Sequence, residues 1–287
     1  MSRAMPHKMM ARREISVPMR VALYVVLLTF TVMTLYPIFW LVMSSFKTTQ
    51  EFQLNRLGLP SGLHIDNYVQ AWRIGEFNQL LLNSVIYTAA TTLAIVVFSL
   101  SAGFAFAKLR SKATLFLHGS FVVGILLTLQ SIMIPLFLMS VASGLYNTRL
   151  GVLIPYIGIG MPLGVYLCTE YIKSIPDSVI DSAKIDGASY LKIFTAIIIP
   201  MAKPVATTLA ILNVTGIWNE FMLINILVSK NSLKSMPVGI MKFSSALSSD
   251  YGKQFAALVI GMLPMLIFYI IFRNKIAEGV SAGAVKG

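Results

Sequence analysis

The amino-acid sequence predicts an all-α, polytopic membrane protein with six transmembrane helices. Of its 287 residues, 56% are hydrophobic and 12% charged, against roughly 25% charged in soluble domains, and the mean hydropathy is +0.77. Six apolar stretches, 21–46, 80–107, 115–139, 150–172, 205–228 and 255–272, carry scarcely a charge. Each approaches or exceeds the about 20 residues that a helix needs to cross the hydrocarbon. A membrane barrel would show shorter segments of alternating polarity instead.

Residues 1–20 form a basic N-terminal segment. The apolar run after it exceeds the 7–15 residues typical of a signal-peptide core and lacks a small-x-small cleavage site, so it is expected to stay as the first span. The membrane domain is expected over 21–273, with a tail over 274–287. The longer connections, 47–79 and 229–254, should hold short surface helices. Pro135, Pro155, Pro162 and Pro264 should kink their helices. One cysteine, Cys168, allows neither an intrachain disulfide nor a cysteine metal cluster, and is expected to be a small packing residue. His7, His64 and His118 are scattered without a second ligand at metal spacing. No Ser/His/Asp or paired-carboxylate arrangement is evident, so an enzyme is not expected.

Orientation follows from the basic residues. With the N-terminus in the cytoplasm, the inner set is Arg3, Lys8, Arg12, Arg13, Arg20, Lys108, Arg110, Lys112, Lys173, Lys184, Lys192, Lys203, Arg273, Lys275 and Lys286. The outer set is Lys47, Arg56, Arg73, Arg149, Lys230, Lys234, Lys242 and Lys253. That division is 15 against 8, and short connections obey the positive-inside rule. Both termini are therefore expected in the cytoplasm. The net charge of +12 requires no nucleic-acid partner, because basic flanks beside anionic membrane lipids account for much of it.

A charged stretch, 174–204, interrupts the apolar second half. Ser174 and Asp177 have the form of a capping box, with Pro176 in a first turn that tolerates it. Ile175, Val179, Ile180 and Ala183 recur at helical spacing, while Asp177, Asp181 and Lys184 fall on the polar side. Gly187 is placed to end this helix in a left-handed conformation. Ser189 can cap a second helix over 190–199, which Pro200 should stop. A helix, a sharp turn and a helix outside the hydrocarbon are expected.

The same stretch resembles the "EAA" loop of permease subunits of ATP-binding-cassette (ABC) importers, Glu-Ala-Ala, three residues, Gly, nine residues, Ile-x-Leu-Pro. Here Asp181-Ser182-Ala183 is followed after three residues by Gly187, then after nine by Ile197-x-Ile199-Pro200. Asp186, Gly187 and Ala188 match the Asp-Gly-Ala version found in sugar-importing members. Asp181 replaces Glu and Ser182 replaces Ala, which keeps the charge and the small size but shortens the acidic reach. The similarity extends to "HIDNYVQAW" from His64, to "NSVIYTAATT" from Asn83, and to "SGLYNTRLGVLIPY" from Ser143. "GIWNEF" from Gly216 and the final "SAGAVKG" are similar to elements of the maltose-type second permease.

The resemblance implies a type I importer permease fold and a coupling role for Val179, Ile180, Asp181, Ser182, Ala183, Asp186, Gly187 and Pro200. It implies a second permease, an ATPase dimer that binds ATP and Mg, and an extracytoplasmic solute-binding protein, with no cofactor on this chain. The absence of a G-x-x-x-x-G-K-[ST] stretch agrees that energy comes from another chain. Asp181 is expected to pair with a basic group of the ATPase while Val179, Ile180 and Ala183 bury apolar area there. The tail resembles one that docks between ATPase subunits. Polar residues within the apolar stretches, Gln130, Asn213, Trp218, Asn219 and above all Glu220, are candidates for the substrate pathway. The alternative role for Glu220 is to close a hydrogen-bond network between helices. A permease for another solute, such as a phosphorylated polyol, and a secondary transporter remain alternatives.

Overall fold

The computed structural model describes residues 16–109, 111–246 and 250–284. Of the basic residues counted above, Arg3, Lys8, Arg12, Arg13, Arg110 and Lys286 lie outside them, as do His7 and the last three residues of the tail. Among the described residues the chain is helical and without strands. Four helices are long and apolar enough to cross a membrane: α1 (Val17–Ser44), α4 (Phe77–Lys108), α7 (Arg149–Lys173) and α14 (Tyr251–Ala284). Two bent helix pairs, Lys112–Gly124 with Leu129–Ala142 and Tyr190–Met201 with Lys203–Asn219, bring the number to six if each pair makes one crossing.

The core is built on α4 and α7, with α11 (Lys203–Asn219) packed into the same group. Apolar side chains gain little from leaving lipid for protein, so close helix contact in a membrane depends on small residues. Here Gly160, Gly164 and Cys168 recur every four residues on α7 and face Ile95, Ser99 and Gly103 on α4. A Cβ on Gly103 would come within 2.8 Å of the Cys168 Cβ, and one on Gly164 would run into Ser99. Cys168 is buried, a packing residue as expected.

The third and fifth apolar stretches are not continuous helices. Residues 115–139 divide into α5 (Lys112–Gly124) and α6 (Leu129–Ala142), bent by 107°. The break falls after Gly124, where three successive amides bond only three residues back, and Gly124 packs against Pro162 of α7. It does not fall at Pro135, which lies inside α6, and Pro155, Pro162 and Pro264 also lie within continuous helices. Residues 205–228 divide into α11 and α12 (Met222–Leu227) at Glu220. The last helix continues to Ala284, so the boundary expected at 274 falls inside it.

Side chains fasten the expected outer connections. Asn67, in the short helix α3 (Asp66–Ile74), donates to the carbonyls of Ser45 and Lys47, both at 2.9 Å. The Tyr68 and Ser45 hydroxyls meet at 2.6 Å. Helix α2 (Thr49–Leu54) precedes α3, and its Phe52 packs with Phe255 of α14 at 4.9 Å between rings. The buried Lys47 ammonium donates to the Asn55 carbonyl at 2.8 Å. Burial pushes the Asp250 carboxyl up, but hydrogen bonds from Lys253 and Thr49, with the Lys253 charge, hold it below the usual carboxylate range.

The second connection is latched by the "NSVIY" stretch of α4. Asn83 donates to the carbonyls of Ser232 and Lys234 at 2.8 and 3.0 Å, and Tyr87 to that of Leu233 at 2.8 Å. Ser84 accepts the Met236 amide at 2.8 Å, at the start of α13 (Met236–Ala246). Met236 and Val238 of this helix are buried, and Met241 is exposed.

The α4/α7 seam makes a clean test. Gly164→Val should overpack it by about 1–3 kcal/mol and lower the thermal unfolding midpoint in detergent. Gly158→Ala on the same helix, where a Cβ meets nothing within 4 Å, should leave the midpoint unchanged.

Candidate functional site

The 174–204 stretch folds as a helix, a tight turn and a second helix. Helix α8 (Asp177–Ile185) is preceded by Pro176, whose φ of −57° suits a chain entering a helix. The capping box expected of Ser174 and Asp177 is not formed. Ser174 is still the last residue of α7's final turn, and its hydroxyl donates to the Tyr171 carbonyl at 2.6 Å. Asp177 is held instead by Lys108, the last residue of α4, whose ammonium donates to the Asp177 carboxylate at 2.6 Å and to the Ile175 carbonyl at 2.7 Å. The Lys108 side chain is only 5% exposed. A buried ammonium needs such partners, because desolvation penalises it otherwise.

Gly187 ends α8 as expected, with φ +75°. Its amide bonds to the Lys184 carbonyl at 3.0 Å, and the Ala188 amide to that of Ala183 at 2.9 Å. These two bonds are the pair that a left-handed glycine closes at a helix C-terminus. Ser189 then caps the next helix by accepting the Lys192 amide at 3.3 Å.

That second helix, α9 (Tyr190–Ile193), passes through a π-helical turn, Phe194–Ile198, into α10 (Ile199–Met201). The stop expected at Pro200 therefore moves to Ala202. A proline ring clashes with the preceding turn of a normal helix and lacks its amide. The Ile199 amide bonds five residues back, to Phe194, and this wider turn accommodates Pro200. The chain then bends by 71° into α11.

Burial divides α8 into two faces. Ile180 (3% exposed) and Ala183 (9%) pack with Ile175, Ile193 and Phe104 in the chain's own core. The expectation that they bury area in a partner is thereby corrected, and Val179 is half-buried. The outward face carries Asp181, Ser182, Asp186 and Gly187, together with Ile185 (87% exposed), Tyr190 and Leu191 (72%). Pro200 is also exposed. Lys184 lies 3.5 Å from Asp181 and 5.5 Å above the Tyr190 ring. Sequence reasoning missed Ile185 and Leu191. The available signal was phase, because Ile185 is apolar yet falls off the Ile175/Val179/Ile180/Ala183 stripe.

The second candidate region centres on Glu220, at the interruption between α11 and α12. Its carboxylate accepts the Leu223 amide at 2.7 Å and the Ile224 amide at 3.3 Å, and the Tyr156 hydroxyl of α7 donates to it. Glu220 thus satisfies the first amides of α12, which would otherwise be orphaned inside the bundle. It joins a network between helices, one of the two roles expected. Beside it lies a cavity of about 180 Å³ lined by Tyr156, Gly160, Asn213, Gly216, Glu220 and Leu223, among others. Asn213 and Glu220 are brought together there. Trp218 is buried and not on its wall, Asn219 is exposed and donates to the Thr215 carbonyl, and Gln130 is exposed at the start of α6.

Residues 99–278, more than half of the chain and including all of 174–204, match the family described as "Binding-protein-dependent transport system inner membrane component". The chain belongs to this family. Among curated relatives of this inner membrane component is the "Probable starch degradation products transport system permease protein AmyC" of Thermoanaerobacterium thermosulfurigenes. It is 34% identical, over 87% of this chain and 91% of the relative. The "Multiple sugar-binding transport system permease protein MsmG" of Streptococcus mutans is 34% identical, over 92% and 96% of the two chains. A chain of a bacterial ABC transporter involved in the import of the acidic polysaccharide alginate has the same fold. Its TM-score is 0.80 at 23% identity, over 90% of this chain and 98% of that one. The chain is thus a multi-pass membrane component of an ABC transporter and a transport subunit rather than an enzyme.

Two consequences of this permease geometry are open to measurement. Lys108→Met should remove the bonds from its ammonium to Asp177 and the Ile175 carbonyl and raise hydrogen exchange of the α8 amides several-fold, with exchange along α4 and α7 unchanged. Glu220→Ala should strand the Leu223 and Ile224 amides and the Tyr156 hydroxyl. The expected loss is about 2–3 kcal/mol, seen as a lower unfolding midpoint, with Glu220→Gln in between because it keeps one acceptor oxygen.

Proposed function

We propose that this chain is the permease subunit of an ATP-driven, binding-protein-dependent sugar importer, in which it forms half of the translocation pathway beside a second permease. Relatives named for starch degradation products and for multiple sugars support the sugar class. The observation that carries the coupling role is the braced helix α8. It is tied to α4 through Lys108 and closed by Gly187, and it presents Asp181 and Ile185 outward, with Leu191 of α9 exposed after the turn.

In this reading α8 sits in a cleft of a separate ATPase dimer, which binds ATP and Mg. Asp181 meets a basic group there, and Ile185 and Leu191 supply the apolar contact. Closure of the ATPases moves α8 as a rigid element. The motion passes through the 71° elbow at Ala202 into α11, which carries Asn213 and ends at Glu220. Rigid-body displacement of packed helices is an established mode of switching. The 174–204 loop and both termini face the cytoplasm, and an extracytoplasmic binding protein delivers the sugar to the opposite side. Asn213 and Glu220 are the pathway residues of this chain with a common cavity, whereas Gln130, Trp218 and Asn219 do not line it.

The test is transport and sugar-stimulated ATP hydrolysis by the chain with its co-purifying partners and cognate binding protein in vesicles, against a sugar panel. Gly187→Val has open space for its side chain but should cost about 1–2 kcal/mol in the left-handed backbone. It should still insert and pair with the second permease, yet lose stable ATPase binding. Asp181→Lys should do the same by charge reversal, and Asp181→Glu should be tolerated. ATPase capture equal to wild type by both Gly187→Val and Asp181→Lys would exclude this loop as the coupling element.

A further inference from the structure

A second candidate site lies away from the coupling face, where the ends of three apolar helices meet. The end of α4, the start of α5 and the end of α7 enclose an open pocket of about 430 Å³. Phe106 lines it from α4 and Lys173 from α7, and the first two turns of α5 contribute Ser111, Lys112, Thr114 and His118. Ser111, Thr114 and His118 recur at helical spacing and so share one face of α5. His118 stacks edge-on against Phe106 at 5.8 Å. The volume falls in the about 300–1,000 Å³ range of small-molecule sites.

Two lysines give the pocket its charge. Lys112 and Lys173 line it from different helices, and Lys173 is also paired with Glu170 at 2.7 Å. The positive end of the 13-residue α5 faces the same way. Immediately below, α5 turns Leu115 (76% exposed) and Phe116 (75%) outward, with Val123 (62%) two turns further on. A pocket edged by two lysines thus opens onto an exposed apolar helix face. Basic pockets between spans at the membrane surface suit anionic headgroups, and the apolar face beneath suits an acyl chain.

We infer that this pocket binds the phosphate of an anionic phospholipid, with Lys112 and Lys173 as the charged contacts and the outer face of α5 as the acyl-chain contact. The site would fix α5 against the ends of α4 and α7, next to the Lys108–Asp177 brace. It depends on the reading proposed above only for its leaflet, since the pocket is a property of this chain whichever partners it has.

The experiment is native mass spectrometry of the full chain with its co-purifying partners, taken from nanodiscs of phosphatidylcholine mixed with phosphatidylglycerol. Wild type should retain phosphatidylglycerol in preference to phosphatidylcholine. Lys112→Gln with Lys173→Gln should cut that retention several-fold, and Lys112→Arg with Lys173→Arg should preserve it, which separates loss of charge from loss of fold. In a second arm, inorganic phosphate is titrated against the retained lipid. Displacement at millimolar phosphate would assign the pocket to soluble phosphate instead of lipid and overturn the proposal. Equal retention by wild type and the double Gln variant would overturn it too. Transport is not read in either arm, so failure here leaves the transport assignment standing, and failure of that assignment leaves lipid binding to be judged alone.

Discussion

The close approach of α4 and α7 is the contact on which the other helices depend. In lipid, the seam must be made from shape, and Gly160, Gly164 and Cys168 against Ile95, Ser99 and Gly103 supply a flat strip on each helix. Once these helices are in register, α11 has a groove to enter, and the ends of α4 and α7 fall beside one another on both sides of the membrane. At one end this brings Asn83, Ser84 and Tyr87 under the backbone of residues 232–236. At the other it brings Lys108 to Asp177. A shift along the seam would dislocate both fastenings together.

Several asparagines and Glu220 serve backbone. Asn83 and Asn67 donate to carbonyls of irregular segments, and Asn147, itself at φ 60°, accepts the amides of Ser229 and Lys230 at 2.6 and 3.1 Å. Glu220 does the same for α12. The α12 amides lie inside the bundle, where backbone groups cannot reach water and need such a partner. The stretches "HIDNYVQAW", "NSVIYTAATT" and "SGLYNTRLGVLIPY" therefore owe part of their character to holding the outer connections, apart from any contact with solute.

Much of this was legible in the sequence, because the signals were strong where one force dominates. Apolar length marked four continuous spans, and Gly187 was recognisable from its place after an apolar stripe. Bends were harder to see. The 107° turn after Gly124 and the interruption at Glu220 arise from packing against α7, to which a one-dimensional hydropathy pattern is blind. Ser174 misled because a serine before a proline and an acid suits a helix start as well as a helix end. Lys108 and Asp177 are 69 positions apart, and nothing local to either announces the pair. Ile180 and Ala183 were placed on the correct stripe, but a stripe does not say whether its cover comes from the same chain or another.

The π-helical turn before Pro200 has a geometrical consequence for the whole second half. A π turn holds one residue more than the α-helix it interrupts, and each residue of an α-helix rotates the side-chain direction by about 100°. The extra residue between Tyr190 and Met201 thus sets the azimuth at which the chain arrives at Ala202, and through the elbow the azimuth of α11. Which side of α11 carries Asn213 towards the cavity is accordingly fixed by a count of residues made on the far side of the bend. Were the turn to relax into ordinary α-helix, that polar side would swing by roughly a quarter of a revolution while every other contact of α8 stayed in place.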